Sequence, residues 1–173
     1  MEIYISDDDN RLNSEIIELM HSAASEALTQ EFGLSLSESG YDVSTLPVVL
    51  SVSIVNYDEI KTLNNEFRGI DRITDVLSFP QFADTQDLEA DLLDLAESVS
   101  EDVEILGTML GDVVICYDKA IEQSEEYGTG FKREIIYLFV HSIFHLFGYD
   151  HMVESDKIEM RKREESVMEV LGL

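Results

Sequence analysis

The sequence predicts an α+β fold: a small mixed β-sheet of about four strands covered by about five helices. Three observations carry that expectation. Strand-type runs lie in the first two thirds of the chain, apolar helical runs fill the last third, and a helix separates the first two strands. At 173 residues, with no repeat and no linker, one domain over 1–173 is expected, burying roughly 70% of its unfolded surface.

Residues 2–5 form a short strand candidate. Over residues 14–32, Ile16, Ile17, Leu19, Met20, Ala23, Ala24, Ala27 and Leu28 recur at helical spacing. Asn13 or Ser14 is the expected N-cap and Gly33 the stop. Residues 34–46, rich in Ser and Gly, read as a loop. Pro47 opens a strand at 48–55. Asn56 then caps a helix from 57 to about 67, with Ile60, Leu63 and Phe67 on one face. Residues 74–79 and 108–116 are the remaining strands. Helices follow at 118–127, closed by Gly128, and at 131–147, closed by Gly148. A last one runs from about 155 to 171, with Ile158, Val167, Met168 and Leu171 as its apolar contacts.

Charge sets a boundary on function. The chain has 37 acidic and 11 basic residues, a net charge of −26. Such a chain has no broad cationic surface for nucleic acid, so any polyanion must meet a local cationic site. The 45% apolar content is too high for a disordered acidic chain. Residues 84–104 carry nine acids and no base, with Leu88, Leu92, Leu93, Leu95 and Val99 as a weak helical face. They read as a solvated insertion, the alternative being a docking segment for a basic partner. Without those acids the charge would still be −17, so the acidity is global.

Cys116 is the one cysteine, which excludes an intrachain disulfide and reads as a buried, inert thiol. The opening residues do not resemble a signal peptide. The longest apolar stretch, 135–147, holds two histidines and a serine and falls short of the ~20 residues of a membrane span. A cytoplasmic protein without membrane contact is expected.

Three of the four histidines fall within eleven residues, as His141, His145 and His151. On a helix, positions i and i+4 share a face, so His141 and His145 can reach one ion. Gly148 can take a positive φ, end the helix and return His151 to the same point. A three-histidine metal site at the end of a central helix is therefore predicted, with coordination positions left open, as in catalytic rather than structural zinc sites. Three imidazoles also suit nickel and other divalent ions. The lone His21 reads as a boundary residue. In metzincin proteases the first histidine of this spacing is followed by a glutamate base; here the position holds Ser142, which weakens a peptidase.

The segment from His141 to His151, ending Gly148-Tyr149-Asp150-His151, resembles the signature of the YbeY family of endoribonucleases, also called rRNA maturation factors. Two further blocks are similar and in order. One is Asn64-Asn65-Glu66-Phe67-Arg68 followed by Thr74-Asp75-Val76-Leu77-Ser78-Phe79-Pro80; the other is Leu110-Gly111-Asp112-Val113-Val114-Ile115-Cys116. The resemblance spans about 48–151. It implies a metal-dependent, single-strand-specific endoribonuclease acting in 16S rRNA 3′-end maturation and ribosome quality control. It also implies one zinc ion per chain on His141, His145 and His151, with Arg68 as the functional arginine facing the metal. Implied partners are single-stranded rRNA, the small ribosomal subunit with its basic proteins, and a ribosome-assembly GTPase; DNA is not expected. Ser142 departs from the family, where glycine is common, and the 84–104 segment is long.

Asp75 and Asp112 read either as acceptors behind a histidine or as strand-end caps, the structural role being favoured for both. Asp150 reads as a turn residue rather than a base, and Ser78 as a cleft residue. Two other functions compete with the nuclease: a metzincin-like metallohydrolase or peptidase, and a ribosome-assembly binding factor with a structural metal. The basic residues gather as Lys61, Arg68 and Arg72, then Lys132 and Arg133, then Arg161, Lys162 and Arg163.

Overall fold

In a computed structural model, residues 1–100, 107–150 and 154–173 are described. They form four strands, six α-helices and one 3-10 turn. In chain order these are β1 (Glu2–Ser6), α1 (Ser14–Glu38), the 3-10 turn (Val43–Thr45), β2 (Val48–Val55), α2 (Tyr57–Arg68), β3 (Val76–Pro80), α3 (Thr85–Ser100), β4 (Thr108–Cys116), α4 (Tyr117–Tyr127), α5 (Phe131–Leu146) and α6 (Glu154–Val170). The sheet order is β1-β2-β4-β3. β1, β2 and β4 run parallel, and β3 lies antiparallel to β4 as an outer strand.

Strand alternation sorts the side chains into two cores. Val48, Leu50, Val52 and Ile54 of β2, with Leu110, Val113 and Ile115 of β4, meet α1, α3, α5 and α6 in the larger one. On the opposite face α2 lays Ile60 against Leu77, Val114 and Cys116. The α5 helix is central: Ile135, Ile136, Phe139, Val140, Ile143, Phe144 and Leu146 are all fully buried. No helix among the described residues is long and apolar enough to cross a membrane.

Local signals explain most boundaries. Asn13 caps α1 by accepting from the Ile16 N–H at 2.9 Å. Asn56 and Glu59 form a reciprocal capping box at the start of α2. Cys116 is a free, buried thiol, its pKa raised chiefly by desolvation, in keeping with an inert role.

Four expectations are corrected. The first helix runs through Gly33 to Glu38, because Leu36 is fully buried and continuation gains more than the glycine costs. Its stop is Gly40, at φ 87°: the Gly40 N–H bonds to the Ser37 carbonyl and the Tyr41 N–H to that of Leu36, a Schellman closure. Second, there are six helices rather than about five among the described residues. The acidic segment, as far as Ser100, is not a solvated insertion but α3, with Leu88, Leu92, Leu95 and Ala96 buried in the main core. Asp84 starts it by accepting from the Gln86 and Asp87 N–H groups; residues 101–104 lie outside the described part. Third, the strand expected at 74–79 is Val76–Pro80. Fourth, Ile158 is half exposed, and Met160 and Glu164 take its place on the buried face of α6.

Candidate functional site

A cleft of about 570 Å³ opens between the end of α5, the outer strand β3 and the connection that follows it. Its lining includes His141 and His145 from α5, Arg68 from the last position of α2, Thr74 and Asp75 just before β3, and Val76, Ser78 and Pro80 along it. Phe82, Ala83, Gly148, Tyr149 and Asp150 close it. Thus Arg68, Ser78 and two of the three histidines, separated by up to 77 positions in sequence, meet at one place.

The imidazoles are set by what each Nδ1 touches. His141 Nδ1 lies 2.7 Å from Oε1 of Glu164 on α6. His145 Nδ1 lies 2.8 Å from the Tyr149 backbone carbonyl. Carbonyl and carboxylate oxygens only accept, so each Nδ1 carries the proton and each Nε2 is left with its lone pair. The two Nε2 atoms face each other at 3.1 Å. Opposed lone pairs at that distance repel unless a proton or a cation lies between them. Two nitrogens bound tetrahedrally to one zinc at about 2.0–2.1 Å stand roughly 3.3 Å apart, so this pair has the spacing and donor chemistry of half a zinc site.

The helix ending itself builds part of the site. Gly148, at φ 92°, lets the Tyr149 N–H bond to the Phe144 carbonyl and its own N–H bond to that of His145. Phe144 and Tyr149 pack edge to face at 5.7 Å, the apolar contact that accompanies this closure. The turn is what aims the Tyr149 carbonyl back at His145. It is tied down further: Tyr149 Oη donates to Glu31 at 2.8 Å, and Arg163 reaches the other Glu31 oxygen at 2.8 Å while lying 5.2 Å from the Tyr149 ring centroid. Burial, then the bond to Glu31, pushes the Tyr149 phenol well up.

Glu164 is the buried charge of the site, with Tyr137 Oη donating to its second oxygen at 2.8 Å. Burial by itself would raise this carboxyl. The hydrogen bonds from His141 and Tyr137, with the neighbouring imidazoles, outweigh it and hold the group below the usual carboxylate value. The reading of the sequence missed both Glu164 and Tyr137. A signal existed: Glu164 shares the helical face of Met160, Val167 and Met168, and a lone acid on an apolar face needs a buried partner.

The other expectations divide. His151 lies outside the described residues, and among those described no group of three His, Cys, Asp or Glu is placed to hold a metal. Arg68 lines the cleft and makes no ion pair among the described residues. Asp75 accepts from the Thr74 hydroxyl, the Val76 N–H and the Gln123 amide, which is a strand-end role at the cleft wall. Asp112 is exposed in the middle of β4 and does not line the cleft, so it neither caps a strand end nor backs a histidine. Ser142 is fully buried and donates to the Leu138 carbonyl at 2.9 Å, away from proton-transfer chemistry. Asp150 is exposed at the cleft mouth, and His21 is half-buried at the edge of α1, as expected of a boundary residue.

Fold and cleft together define a class: a mixed-sheet α+β protein whose central helix presents paired Nε2 lone pairs beside a guanidinium. A family model described as Endoribonuclease YbeY matches residues 6–172. The chain is 37% identical to the Endoribonuclease YbeY of Clostridioides difficile, over 100% of this chain and 98% of that one. It is 43% identical to that of Clostridium botulinum strain Eklund 17B, over 80% and 82% of the two chains. With that of Thermoanaerobacter sp. strain X514 it shares 47% identity, over 73% and 76%. The solution structure of TM1509 from Thermotoga maritima superposes with a TM-score of 0.54 at 26% identity, covering 96% of this chain and 89% of that one. The chain belongs to the Endoribonuclease YbeY family.

Proposed function

We propose that this protein is a metal-dependent, single-strand-specific endoribonuclease that hydrolyses a phosphodiester in the cleft between α5 and β3. The observation that supports it most is the pair of Nε2 atoms 3.1 Å apart, each imidazole fixed through Nδ1, in the cleft that Arg68 lines. His141, His145 and His151 would hold one zinc ion, with nickel as the alternative. Such an ion supplies Lewis-acid stabilisation and lowers the pKa of a bound water. The rest falls to the chain. Arg68 binds the non-bridging phosphate oxygens, where negative charge gathers on the way to the pentacoordinate state. The Glu164 carboxylate and the Tyr149 carbonyl keep both rings in one tautomer and one orientation.

We place the enzyme in the cytoplasm, in 16S rRNA 3′-end maturation and ribosome quality control. Its proposed substrate is single-stranded rRNA on the small subunit, whose basic proteins, with a ribosome-assembly GTPase, would supply docking that this acidic chain lacks. A peptidase is disfavoured, because the residue after the first histidine is a buried serine already bonded to the backbone. Metal analysis combined with cleavage of a single-stranded oligoribonucleotide and a peptide tests the proposal. Metal-supplied protein is expected to cut only the RNA, His145→Ala to lose both metal and activity, and Arg68→Ala to keep metal while losing about 10²–10³ in rate. No RNA cleavage by the metal-supplied wild type would instead favour a binding factor with a structural metal.

A further inference from the structure

We propose that the corner between α2 and β3, formed by Phe67, Ile70, Arg72 and Ile73, docks the stretch of single-stranded RNA that runs out of the cleft; this rests on the endoribonuclease function proposed above. The corner is preorganised. Gly69 ends α2 in the left-handed region, at φ 69°, with its N–H bonded to the Asn64 and Asn65 carbonyls. The buried Asn64 amide donates to the Arg72 carbonyl at 2.8 Å, and the Ile70 N–H returns to the Asn64 carbonyl. A turn pinned in this way loses little freedom when something binds it.

Three large apolar side chains stand in solvent there: Phe67 is 61% exposed, Ile73 42% and Ile70 39%. The Phe67 ring is held edge-on by Phe79 at 5.1 Å. Charge is distributed just as unevenly. Of the 11 basic residues, seven are ion-paired with the chain's own acids. Of the other four, Arg68 and Arg72 stand on either side of this corner and make no ion pair among the described residues, while Lys157 and Arg161 lie apart on α6. Guanidiniums beside exposed aromatic and apolar surface are the combination that holds a single strand, phosphates on the cations and bases on the rings. A duplex keeps its bases stacked inside and offers no ring face to Phe67.

The corner is continuous with the cleft. Val76, Ser78 and Pro80 line the cleft while Leu77 and Phe79 turn to the α2 side, so β3 is the wall between them. β3 is also an outer strand. A chain leaving the cleft past Arg68 therefore crosses one strand edge to reach Phe67.

The test uses the full-length protein supplied with zinc, a long fluorescein-labelled single-stranded oligoribonucleotide, and a second RNA too short to leave the cleft. Phe67→Ala, Phe67→Leu and Arg72→Ala are each expected to raise KM for the long RNA about tenfold with kcat unchanged. They should leave KM for the short RNA unchanged. Arg72→Ala should also reduce the slope of log affinity against log salt by about one. Lys157→Ala, an exposed base elsewhere, should change neither KM. Phe67→Leu keeps an apolar contact with Phe79, so its loss would not be a folding defect, and unchanged melting midpoints check this. Unchanged KM for the long RNA, or equal losses on both RNAs, overturns the docking surface. If the wild type cuts no RNA, the nuclease function fails; anisotropy of the labelled RNA still decides the corner, and equal affinities of wild type and variants overturn it. Retained RNA affinity with lost binding to a protein partner overturns it as well.

Discussion

Glu164 offers the sharpest test of how the site is held. Replacing it by alanine removes the acceptor from two donors at once, His141 Nδ1–H and Tyr137 Oη–H. A buried donor left without a partner costs about 1–3 kcal/mol. Tyr137 is half-buried and can partly rehydrate, so the sum is set at about 3 kcal/mol. For a chain of this size that corresponds to a fall in Tm of about 6–12 °C. Glu164→Gln behaves differently. Its amide oxygen still accepts from His141 and its NH₂ can donate to the Tyr137 oxygen, so stability should stay within about 1 kcal/mol of wild type. Thermal unfolding of chelator-treated protein, followed by circular dichroism, compares the two directly. Nitrogen NMR of the imidazoles supplies a second readout: His141 should hold one tautomer in wild type and in Glu164→Gln, and become mixed in Glu164→Ala. Equal Tm values for the two variants, or an unchanged tautomer in Glu164→Ala, would refute the reasoning.

Two further predictions concern the surroundings. At Gly148 an added Cβ would meet the Asp84 Cα at 2.5 Å and the Thr85 backbone nitrogen at 2.7 Å, and φ is 92°. Left-handed strain and overpacking together put the cost of Gly148→Ala at about 2–5 kcal/mol; a urea midpoint within experimental error of wild type would sink this. Tyr57 donates to Glu122 at 2.9 Å, and that bond, followed by desolvation, pushes its phenol up from 10.0 to about 12. Because the folded state holds this proton more tightly, the contribution to stability is complete below pH 10 and is lost as pH rises toward 12. Tyrosinate absorbance during an alkaline titration should show Tyr57 ionising late together with the more buried Tyr137 and Tyr149, and Glu122→Gln should take Tyr57 alone out of that late group, back toward 10.0.

Much of the fold was legible because short-range chemistry dictated it. Asn13 and Asn56 announce helix starts with side chains that satisfy the first free N–H groups, and Gly128 and Gly148 announce ends. The two helices that were misjudged share one cause. Gly33 lies inside a helix because Phe32 and Leu36 on either side of it are buried, and α3 forms because every third or fourth residue in an acidic run is a leucine or alanine that reaches the core. In both places packing against distant segments overrides a local signal of composition or propensity, which a scan along the chain weighs too heavily.

The site divides along the same line. His141 and His145 were readable because both sit on one helix, where a spacing of four settles that they share a face. Arg68 was legible only through resemblance, since nothing in a helix-end arginine says that it curls past an outer strand into a cleft. Glu164 was hidden for the opposite reason. In a chain with 37 acids one more glutamate carries no weight, and Glu164 directly follows the basic cluster of Arg161, Lys162 and Arg163, which draws attention first. The structure breaks that cluster apart: Arg163 pairs with Glu31 and Glu159, Lys162 with Glu159, and Glu164 next to them points inward to His141. The excess of acid thus serves two separate ends. Most of the chain's own bases are spent on it, which removes any general attraction for RNA, and one carboxylate fixes the imidazole on which the proposed chemistry depends. On the function proposed, Arg68 and Arg72 at the α2–β3 corner are where a single strand would be met, because the same acidity denies a polyanion any broad cationic surface.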